Sequence, residues 1–422
     1  MDSASATLGG RRVAILSHSH PSLTKGGGEI AAHTLFLGLR AAGVDAILIA
    51  MCDEEALDTI VLGPDEHALS YRAGFYDHFY HVAVAGVRRA FVDLLRRERI
   101  DLLNAHHFLH VGIDAFTEVA EAGVPIVFTI HEFLAICHNH GQMITRGTQI
   151  LCDGPSPTAC RACYPEHSRQ QFALRQRHIE EALRSVAAFV SPSRFLADRM
   201  VANGLPAARM NLIENAIAQP EAAPPSAPRS ARRAWTFGFF GQINPFKGMD
   251  VLLDACAILA REPEMAVRIR IRIHGNFVGQ SDAFIARFEA AVKEYPFLSY
   301  LGPYDNRVVG GLMAACDYVV APSTWWENSP VVIQEAFHAR RPVICTGIGG
   351  MAEKVIDGVS GLHFARNDPA DLADRIVEAA DADLHRRLQA ALPEARTPEQ
   401  MTADYLAVFD EILSAPPVAL AS

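Results

Sequence analysis

The chain has 422 residues, half of them apolar and a fifth charged, and it carries a formal net charge of -10. At roughly 100–200 residues per domain, this length predicts two or three domains. The composition is that of an ordinary soluble globular protein whose core needs no disulfide bonds. The acidic balance argues against a nucleic-acid partner, because such a protein presents a basic face to the phosphates.

We expect a cytoplasmic protein. The first ten residues contain no apolar run typical of a secretory signal, and no stretch approaches the roughly 18–20 apolar residues that span a bilayer. In the cytoplasm the eight cysteines are expected to be reduced. Four of them stand among apolar neighbours and are predicted to be small core residues, namely Cys52, Cys256, Cys316 and Cys345.

Short β-branched runs alternate with helical patterns in the first half of the chain, which predicts a parallel sheet covered by helices. The predicted strands are 12–16, 45–50, 125–130 and 188–191, and the predicted helices are 28–42 and 170–185. We place the first domain at 10–218, and residues 219–233, rich in Pro, Ala, Ser and Arg, are predicted to be a linker.

The alternation restarts after the linker and predicts a second doubly wound domain at 234–395. Its predicted strands are 235–241, 268–274, 318–321 and 342–346, and its predicted helices are 250–261, 330–339 and 371–379. Residues 396–422 are expected to form a C-terminal helix that returns to the first domain. Ligands of such sheets bind outside the carboxyl ends of the strands, so we expect the site in a cleft between the two domains.

The segment after the strand at 318–321 carries the best chemical signal. Pro330 suits the first position of a helix, and Ser329 is then expected to be its N-cap. The N-terminus of such a helix attracts a diphosphate. Glu327 in the preceding loop is free to accept hydrogen bonds from sugar hydroxyls, and Glu335 within the helix from ribose hydroxyls. The alternative is that both are surface glutamates on an amphipathic helix.

Two glycine turns follow other strands of the same half. Gly241 to Gly248 contains Lys247, whose charge suits a phosphate; the alternative is a loop with a solvated lysine. Gly347 to Gly350 would allow a close approach of the backbone to a ligand. Three such features at the strand ends of one sheet favour a phosphate-containing ligand more than any one of them does.

Together these residues resemble the large family of retaining GT-B glycosyltransferases known as family 4. The matching pieces occur in the order of the family and cover nearly the whole chain. They are Gly26-Gly27-Gly28-Glu29, Thr129-Ile130-His131-Glu132, Ser191-Pro192-Ser193-Arg194-Phe195, Asn215, Lys247-Gly248, the pair Glu327 and Glu335, and Gly349-Gly350.

The resemblance implies a fold of two facing Rossmann-like domains and a role for each matching residue. Glu335 would bind the donor ribose, Glu327 the donor sugar and Lys247 the diphosphate. His131 would lie near the transferred sugar, although a histidine after a buried strand is often only a hydrogen-bonded structural residue. The donor-binding set predicted in this way is Gly241, Gln242, Lys247, Asn328, Ser329, Pro330, Val331 and Glu335, with His131, Glu327 and Lys247 as the catalytic residues.

In the first domain, Gly27 and Gly28 would bring backbone amides near the donor phosphates or the acceptor. The sequence departs from the family at Gln242, where the family often has arginine. Glutamine donates hydrogen bonds but brings no charge. Part of the positive charge on the diphosphate is then expected from elsewhere, with Arg194 and Lys25 as the alternatives.

A polar insert at 137–163 contains the other four cysteines, Cys137, Cys152, Cys160 and Cys163, spaced C-x14-C-x7-C-x2-C. This spacing is compatible with a structural zinc site, for which His138 and His140 are spare ligands. The alternatives are four reduced thiols or a disulfide formed on oxidation. No cofactor is expected in the chemistry itself, because the D-x-D at Asp381-Ala382-Asp383 lies in a polar helical tail rather than after a buried strand.

Residues 82–100 combine apolar helical spacing with five arginines, so peripheral contact with the inner face of the membrane is one interpretation and a solvated helix face the other. The predicted function is transfer of a hexose from a UDP- or GDP-sugar, with retention, to a glycan, lipid-linked or small-molecule acceptor. The alternative is another GT-B enzyme, a sugar-nucleotide epimerase or a phosphorylase. A non-enzymatic sugar-binding protein ranks below both, because that class usually carries an export signal.

Overall fold

The computed structural model describes residues 8–24, 26–217 and 233–415. The described residues form two compact units. Unit 1 contains those up to Ala216 and those from Arg396 onward, and unit 2 contains those from Ile217 to Ala395. The predicted linker, except for Arg233, and the candidate Lys25 lie outside the described residues.

Each unit contains one parallel sheet. The sheet of unit 1 has the order β3-β2-β1-β4-β5-β6-β7, and that of unit 2 has the order β10-β9-β8-β11-β12-β13. The strands of unit 1 are β1 Arg12–Ser17, β2 Asp45–Asp53, β3 Glu66–Tyr71, β4 Leu102–Ala105, β5 Ile126–Thr129, β6 Ala188–Ser191 and β7 Met210–Leu212. The strands of unit 2 are β8 Trp235–Phe240, β9 Ile269–His274, β10 Leu298–Gly302, β11 Tyr318–Ala321, β12 Val343–Thr346 and β13 Gly361–Phe364.

α-Helices connect consecutive strands within each unit, as is usual for parallel pairing, except that β2 and β3 are joined through a short 3-10 helix at Glu54–Ala56. Those up to residue 202 are α1 Gly27–Ala41, α2 Ala85–Arg97, α3 Ala115–Glu121, α4 Pro157–Cys163, α5 Arg169–Leu183 and α6 Arg194–Ala202. Those from residue 249 onward are α7 Met249–Leu259, α8 Pro263–Arg268, α9 Asp282–Glu294, α10 Val309–Ala314, α11 Val331–His338, α12 Gly349–Lys354, α13 Pro369–Ala379, α14 Ala382–Ala390 and α15 Pro398–Ser414.

The central strands are mostly apolar and are buried along their whole length, because helices cover both faces of each sheet. Every residue of β5, β6, β8 and β11 is buried. The strands that the sequence pattern missed are β3, β4, β7, β10 and β13. Of these, β3, β7 and β10 lie toward sheet edges and are partly exposed, and β4 carries the polar Asn104.

Both sheets reverse their strand order beside the first strand of the unit. β1 pairs with β2 on one side and β4 on the other, and β8 pairs with β9 and β11. A crevice opens at the carboxyl ends of the strands at such a switch point, and ligands of doubly wound sheets bind there. The predicted site residues after β1, β5, β8 and β11 therefore stand where this fold binds ligands.

The last helix, α15, packs against α1 within unit 1. Tyr405 and Phe409 are buried in the same core cluster as Leu35 and Leu39 of α1. The Tyr405 hydroxyl lies 3.1 Å from Thr129 Oγ1 at the end of β5. A capping box between Thr397 and Gln400 begins the helix. Unit 1 is therefore completed by a segment that follows unit 2 in the sequence.

Helix α2 covers most of the segment that is predicted to touch a membrane. Its apolar residues Phe91, Val92, Leu94 and Leu95 are buried in the protein. Arg88 forms ion pairs with Asp114 and Glu118, at 3.0 and 2.8 Å. An amphipathic membrane helix needs an exposed apolar face, and α2 uses its apolar face in the core. None of the described helices combines the length and apolarity needed to cross a bilayer.

The contact between α1 and α15 makes Gly38 a point of close packing. A Cβ added at Gly38 would overlap the Thr402 hydroxyl, which is held by a 2.7 Å hydrogen bond to the Pro398 carbonyl. We expect Gly38→Ala to lower the free energy of unfolding by about 1–3 kcal/mol, because overpacking outweighs the higher helix propensity of alanine. Urea unfolding measures the change.

The matched control is Gly86→Ala in α2, where an added Cβ meets no atom within 4 Å. This variant is expected to be neutral or to gain up to about 1 kcal/mol from helix propensity. Equal effects of the two alanines would contradict the packing of α15 on α1.

Candidate active site

The turn after β8 holds Lys247 in a fixed conformation. Asn244 Oδ1 accepts a hydrogen bond of 2.8 Å from the Lys247 backbone N–H. Gly248 follows with φ of 74° and forms the N-cap of α7. A Cβ at Gly248 would overlap the Pro322 carbonyl at the end of β11, so only glycine fits there. The turn is thereby packed directly against the loop that follows β11.

Glu327 lies in that loop and is the partner of Lys247. Its Oε1 accepts hydrogen bonds from Lys247 Nζ at 2.6 Å, Trp325 Nε1 at 2.8 Å and Ser323 Oγ at 2.9 Å. Its side chain is only 12% exposed. Burial alone would raise the pKa of Glu327, but the Lys247 ammonium and the three hydrogen bonds outweigh it and lower the pKa below its ordinary value. Glu327 is therefore a buried carboxylate whose charge is compensated at one oxygen.

The predicted glycine segment before α12 holds the same loop from the other side. The Gly350 N–H donates a hydrogen bond of 2.7 Å to the Glu327 carbonyl. A Cβ at Gly350 would overlap the Asn328 carbonyl oxygen. The close approach that these glycines allow is therefore made by the loop of Glu327 and Asn328 itself.

The expected N-cap of the following helix is wrong by one residue. Pro330, with φ of -64° and ψ of 116°, is the N-cap, and α11 begins at Val331 without a side-chain cap. Proline has no N–H and its neighbour Ser329 keeps its hydroxyl away from the helix, so the first amides of α11 remain uncapped. The Ser329 Oγ is buried and forms no hydrogen bond within the described part of the chain.

Glu335 lies one turn into α11 and is partly buried. Desolvation raises its pKa to about 7. Burial, and to a lesser extent the charge of Glu335, raises the pKa of the neighbouring Tyr304, whose ring packs edge-on against Phe240 at the end of β8. The described residues provide no hydrogen bond to the Glu335 carboxylate. It is an acceptor without a donor, beside the carboxyl end of β8.

The remaining predicted residues of unit 2 occupy the same edge of the sheet. Gly241 has φ of 136° and donates its N–H to the His274 carbonyl at 3.1 Å. Gln242 is exposed. The D-x-D has a structural role, because Asp381 caps α14 by accepting from the N–H groups of Asp383 and Leu384. Lys247, Glu327 and Glu335 thus remain the charged residues around the strand ends that the sequence singled out.

In unit 1 the glycine loop leads into α1. Gly27 and Gly28 are its first residues, and its N-cap, Gly26, provides no side-chain cap. Glu29 accepts a hydrogen bond of 2.6 Å from Thr24 Oγ1 and lies 3.4 Å from His18 Nε2. A Cβ at Gly28 would lie 3.5 Å from the His131 ring. The structure therefore brings the glycine loop and His131 together, whereas their roles toward a ligand stay predictions.

His131 does not stand alone, and its neighbours were not predicted. His131 Nε2 lies 2.9 Å from His106 Nδ1, and burial lowers the pKa of His131 to about 4. His107 lies beside His18, with ring centroids 4.4 Å apart, and its Nε2 is 3.5 Å from Glu132 Oε1. The available signal was the pair His106-His107 directly after residues 102–105, which the pattern did not identify as a strand because the polar Asn104 interrupts the apolar run.

Arg194 is exposed at the first residue of α6, which Ser193 caps at the carboxyl end of β6. It stands on the same edge of the sheet as the glycine loop. With Lys25 outside the described residues, the contribution of either cation to phosphate binding stays a prediction.

The four cysteines of the insert are free and partly buried. Backbone N–H groups approach two of them: Arg146 N–H donates to Cys163 Sγ at 3.1 Å. Burial raises the pKa of Cys137 to about 11, while the N–H groups of Met143 and Asn139 act in the opposite direction. Such N–H···S bonds also stabilise metal thiolates. The four sulfurs are nevertheless not gathered at metal-ligand distances, because no three of them lie within 4.8 Å of one another.

A different cluster brings three ligand atoms within 4.8 Å, and it consists of His20, His33 and Glu66. His33 Nε2 lies 3.0 Å and His20 Nε2 3.3 Å from the Glu66 carboxylate. The Ser22 backbone N–H donates to His20 Nδ1 at 3.1 Å, so the proton of neutral His20 is on Nε2. A protonated nitrogen cannot ligate a metal. Within the described residues, His33 Nε2 is hydrogen-bonded to Glu66, whereas His20 Nε2 lies beside the carboxylate without forming a hydrogen bond.

Two family models match the chain, one to each half. "Glycosyltransferase Family 4" matches residues 25–218, and "Glycosyl transferases group 1" matches residues 234–382. The chain is 25% identical, over 397 residues, to D-inositol 3-phosphate glycosyltransferase 2 of Catenulispora acidiphila, covering 88% of this chain and 87% of that protein. It is also 25% identical, over 439 residues, to a D-inositol 3-phosphate glycosyltransferase of Geodermatophilus obscurus, covering 96% and 91%.

Solved structures share the fold. The Anabaena protein Alr3699/HepE in complex with UDP superposes with a TM-score of 0.67 and 17% identity, over 95% of this chain and all of that one. A sucrose-phosphate synthase from Thermosynechococcus elongatus gives a TM-score of 0.68 and 18% identity, over 96% of this chain and all of that one. Both support the two-domain α/β GT-B fold.

The Lys247–Glu327 pair predicts a stability difference that depends on pH. In the wild-type protein Glu327 stays ionised at every pH above its lowered pKa, so its pair with Lys247 remains intact there. The contribution of the pair to the free energy of unfolding is lost only as pH falls through this lowered pKa. Lys247→Met removes the largest effects that lower the pKa of Glu327, so burial, which raises it, is opposed only by the hydrogen bonds from Trp325 and Ser323. We expect a loss of about 1–3 kcal/mol near pH 7 that shrinks at mildly acidic pH, as the uncompensated carboxyl takes up a proton.

Urea unfolding at the two pH values measures this loss. The control is Lys293→Met, at an exposed position of α9, which is expected to change stability by less than about 0.5 kcal/mol at either pH. A Lys247→Met loss that does not vary with pH would contradict the pairing.

Structural zinc in the insert stays a prediction. Elemental analysis of reduced protein, purified without added metal, is expected to give about one zinc per chain. The zinc should be lost in the double variant Cys160→Ser with Cys163→Ser and kept in Cys52→Ala. Absence of metal would contradict the prediction, and metal that is lost in His33→Ala but kept in the cysteine variant would assign it to the histidine cluster instead.

Proposed function

Because the chain belongs to the group 1 glycosyltransferases of the GT-B fold, we propose that it transfers a hexose from a UDP- or GDP-hexose to a hydroxyl of its acceptor, with retention of anomeric configuration. The observation that carries the proposal is the arrangement of Lys247, Glu327 and Glu335 at the strand ends of one sheet. A cation, a compensated carboxylate and a carboxylate without a donor together suit a diphosphate that links a sugar and a ribose.

The donor binds unit 2 in this proposal. Glu335 accepts the ribose hydroxyls, because its carboxylate receives no hydrogen bond from the described residues. The diphosphate binds near Lys247 and the uncapped amides at the start of α11, where Val331 begins the helix. The UDP bound to Alr3699/HepE, which shares the fold, is consistent with a nucleotide ligand.

Glu327 contacts the donor sugar in this proposal, and its two carboxylate oxygens have different partners. All three donors from the protein converge on Oε1. Oε2 receives none from the described residues and therefore has the capacity to accept from hydroxyls of the donor sugar. The diphosphate, for its part, competes with Glu327 for the Lys247 ammonium, which is already oriented toward the site before any ligand arrives.

Lys247 and the α11 amides stabilise the leaving group in this proposal. The diphosphate gains negative charge as the bond to the anomeric carbon breaks. Donors that are already oriented toward that charge lower the barrier by a few kcal/mol each. No metal ion is assigned to this step, because the matching residues supply positive charge from the protein itself.

His131 orients the transferred sugar and does not attack it. Its lowered pKa keeps the imidazole neutral at physiological pH, and its Nε2 is engaged with His106. The acceptor hydroxyl attacks from the side of the leaving group, and the leaving phosphate takes its proton. The glycine loop at Gly27 and Gly28 lies against His131 and is assigned to the phosphates or the acceptor.

The acceptor is proposed only as a class, namely a glycan, a lipid-linked sugar or a small polyol. The relatives named for D-inositol 3-phosphate make a phosphorylated polyol the first compound to test. We place the reaction in the cytoplasm, where the free cysteines remain reduced. Membrane contact through 82–100 has little support, because α2 buries its apolar face.

The proposal is tested by incubating the protein with radiolabelled UDP- and GDP-hexoses, with and without acceptors. Label that moves to an acceptor is the expected result. Conversion of the donor without any acceptor would identify an epimerase, and phosphorolysis of a glycan would identify a phosphorylase; either result would overturn the proposal.

Glu335 is expected to give donor binding a dependence on pH. Its raised pKa of about 7 means that the free protein is partly protonated at neutral pH, whereas ribose hydroxyls bind the ionised carboxylate. Affinity for the nucleotide sugar should therefore rise as pH increases through about 7, and Glu335→Gln should weaken binding by about 1–3 kcal/mol and remove the rise. Calorimetry with the donor selected by a thermal-shift screen measures both effects.

The control is Glu289→Gln on the exposed face of α9, which should bind like the wild type. Unchanged affinity in Glu335→Gln would remove the ribose assignment. The diphosphate of a nucleotide sugar is esterified at both ends and does not titrate in this range, so the rise with pH reports on the protein.

The stereochemistry and the metal requirement are tested together. NMR of the product is expected to show the anomeric configuration of the donor, and EDTA is expected to leave turnover unchanged. Lys247→Ala should lower kcat at saturating donor by about 100-fold, the scale of a lost transition-state donor. An inverted linkage, or activity that EDTA abolishes and magnesium restores, would contradict the mechanism.

A further inference from the structure

Trp325 contacts both members of the ion pair between Lys247 and Glu327. Its indole Nε1 donates a hydrogen bond of 2.8 Å to Glu327 Oε1. The Lys247 ammonium lies over its ring, with Nζ 5.7 Å from the ring centroid, which is within the range of a cation–π contact. One neutral side chain therefore touches both the carboxylate and the cation of the candidate donor site.

The position of this indole does not depend on the two charges. Its ring stacks on Phe246, with centroids 5.4 Å apart and an angle of 25° between the planes. The preceding residue, Thr324, donates its N–H to the Phe246 carbonyl at 2.8 Å, and Arg366 donates a hydrogen bond to the Thr324 carbonyl. The loop after β11 is thereby fastened to the turn after β8, and these contacts hold the indole in place without the ion pair.

The three donors to Glu327 Oε1 differ in how firmly they are committed to it. In the proposed function the diphosphate competes for the Lys247 ammonium. The Ser323 hydroxyl, at 2.9 Å, can rotate its proton toward another acceptor. An indole N–H is a donor only, and the Trp325 ring is fixed by Phe246. Trp325 is therefore the donor that stays when the other two change partners.

Loss of the ammonium would change the state of Glu327 without such a donor. The carboxylate is 12% exposed, and burial favours its neutral form. A neutral carboxyl accepts hydrogen bonds from sugar hydroxyls less strongly than a carboxylate does. The groups that act on its charge are Lys247 from the turn after β8, and Trp325 and Ser323 from its own loop. Once Lys247 turns to a ligand, the two neutral donors alone oppose the uptake of a proton.

We propose that Trp325 is a positioning residue that keeps the Glu327 carboxylate ionised and oriented while the Lys247 ammonium is transferred to the diphosphate of the donor. The inference rests on the proposed function in one respect, that a diphosphate takes Lys247 as its partner. Oε1 stays engaged with the indole, so Oε2 keeps its direction and its capacity to accept from the donor sugar. Trp325 acts through Glu327 and is not itself a catalytic residue.

The state without the ammonium is produced in the free protein by the substitution Lys247→Met. The titration of Glu327 is then measured by ¹³C NMR of the glutamate side-chain carboxyls, with its signal assigned by its loss on adding Glu327→Gln. Adding Trp325→Phe to Lys247→Met retains an aromatic ring beside Phe246 and removes the N–H. We expect the titration midpoint of Glu327 to rise by about one pH unit, the scale of a hydrogen bond to a buried charge.

The matched control adds Trp235→Phe to Lys247→Met. It removes an indole N–H at the first residue of β8, the end of the strand away from the turn, and it should leave the midpoint of Glu327 unchanged. Thermal unfolding checks that each protein is folded. Replacement of Trp325 by benzothienylalanine, which has sulfur in place of the N–H and nearly the same shape, gives the same test where Trp325→Phe does not fold. An unchanged midpoint on removal of the N–H would overturn the proposal.

The pH dependence of turnover tests the same role in the enzyme. The acid limb of kcat reports on groups in the complex with the donor, which is the UDP- or GDP-hexose selected by thermal shift. In Trp325→Phe this limb should move up by about one pH unit, whereas kcat at about pH 8 should stay within about threefold of the wild type, because Glu327 is ionised there in both proteins. Glu335 is unchanged and contributes equally to both profiles.

Two further outcomes separate this inference from the proposed function. An equal loss of kcat at every pH in Trp325→Phe would reduce Trp325 to a packing residue and overturn the proposal. A raised midpoint of Glu327 in the Lys247→Met background, in a protein that transfers no sugar, would contradict the proposed function and support the retention of the Glu327 carboxylate by Trp325.

Discussion

The candidate donor site depends on the charge of one carboxylate, that of Glu327, which the fold holds largely out of water. An ionised carboxylate in such a position must be compensated, and Lys247, Trp325 and Ser323 all compensate it at the same oxygen. To bring these donors together, the turn after β8 packs on the end of β11, where only glycine fits at position 248. Gly350 holds the loop from the opposite side. A single ion pair therefore depends on the backbone geometry of three loops, those after β8 and after β11 and the one that leads into α12.

The sequence was sufficient to predict features that have a local cause. Apolar runs predicted the central strands, because both of their faces are covered. The glycine turn after 235–241 predicted the strand end at which Lys247 lies, and the apolar run 318–321 predicted that of Glu327. Features that depend on tertiary contacts were missed. The edge strands β3 and β10 have no continuous apolar run, and Trp325 became a partner of Glu327 only through the packing of the loop. The N-cap was misplaced at Ser329 because Pro330 has an extended ψ of 116°, so the helix begins one residue later than predicted, at Val331.

The histidines of unit 1 show the same difference between features with a local cause and features that depend on tertiary contacts. His131 could be identified because it belongs to a motif directly after a recognisable strand. Asn104 and His106 could not, because a polar residue within β4 obscures the strand, and because their partners, such as Val127 and Tyr405, are distant in sequence. In a buried line of polar groups each member must be satisfied by the next. A polar residue that interrupts an apolar strand is therefore worth attention when a histidine follows it at the strand end.

The position of α15 has a consequence for the synthesis of the protein. Unit 2 is inserted into unit 1, between β7 and α15, so its residues all emerge from the ribosome before unit 1 is complete. Domains generally fold as units during synthesis. Unit 2 can therefore finish folding first, while the seven-stranded sheet must wait with part of its apolar surface uncovered until the last helix arrives. A nascent chain stopped shortly before residue 396 would contain a complete second unit and an unfinished first one.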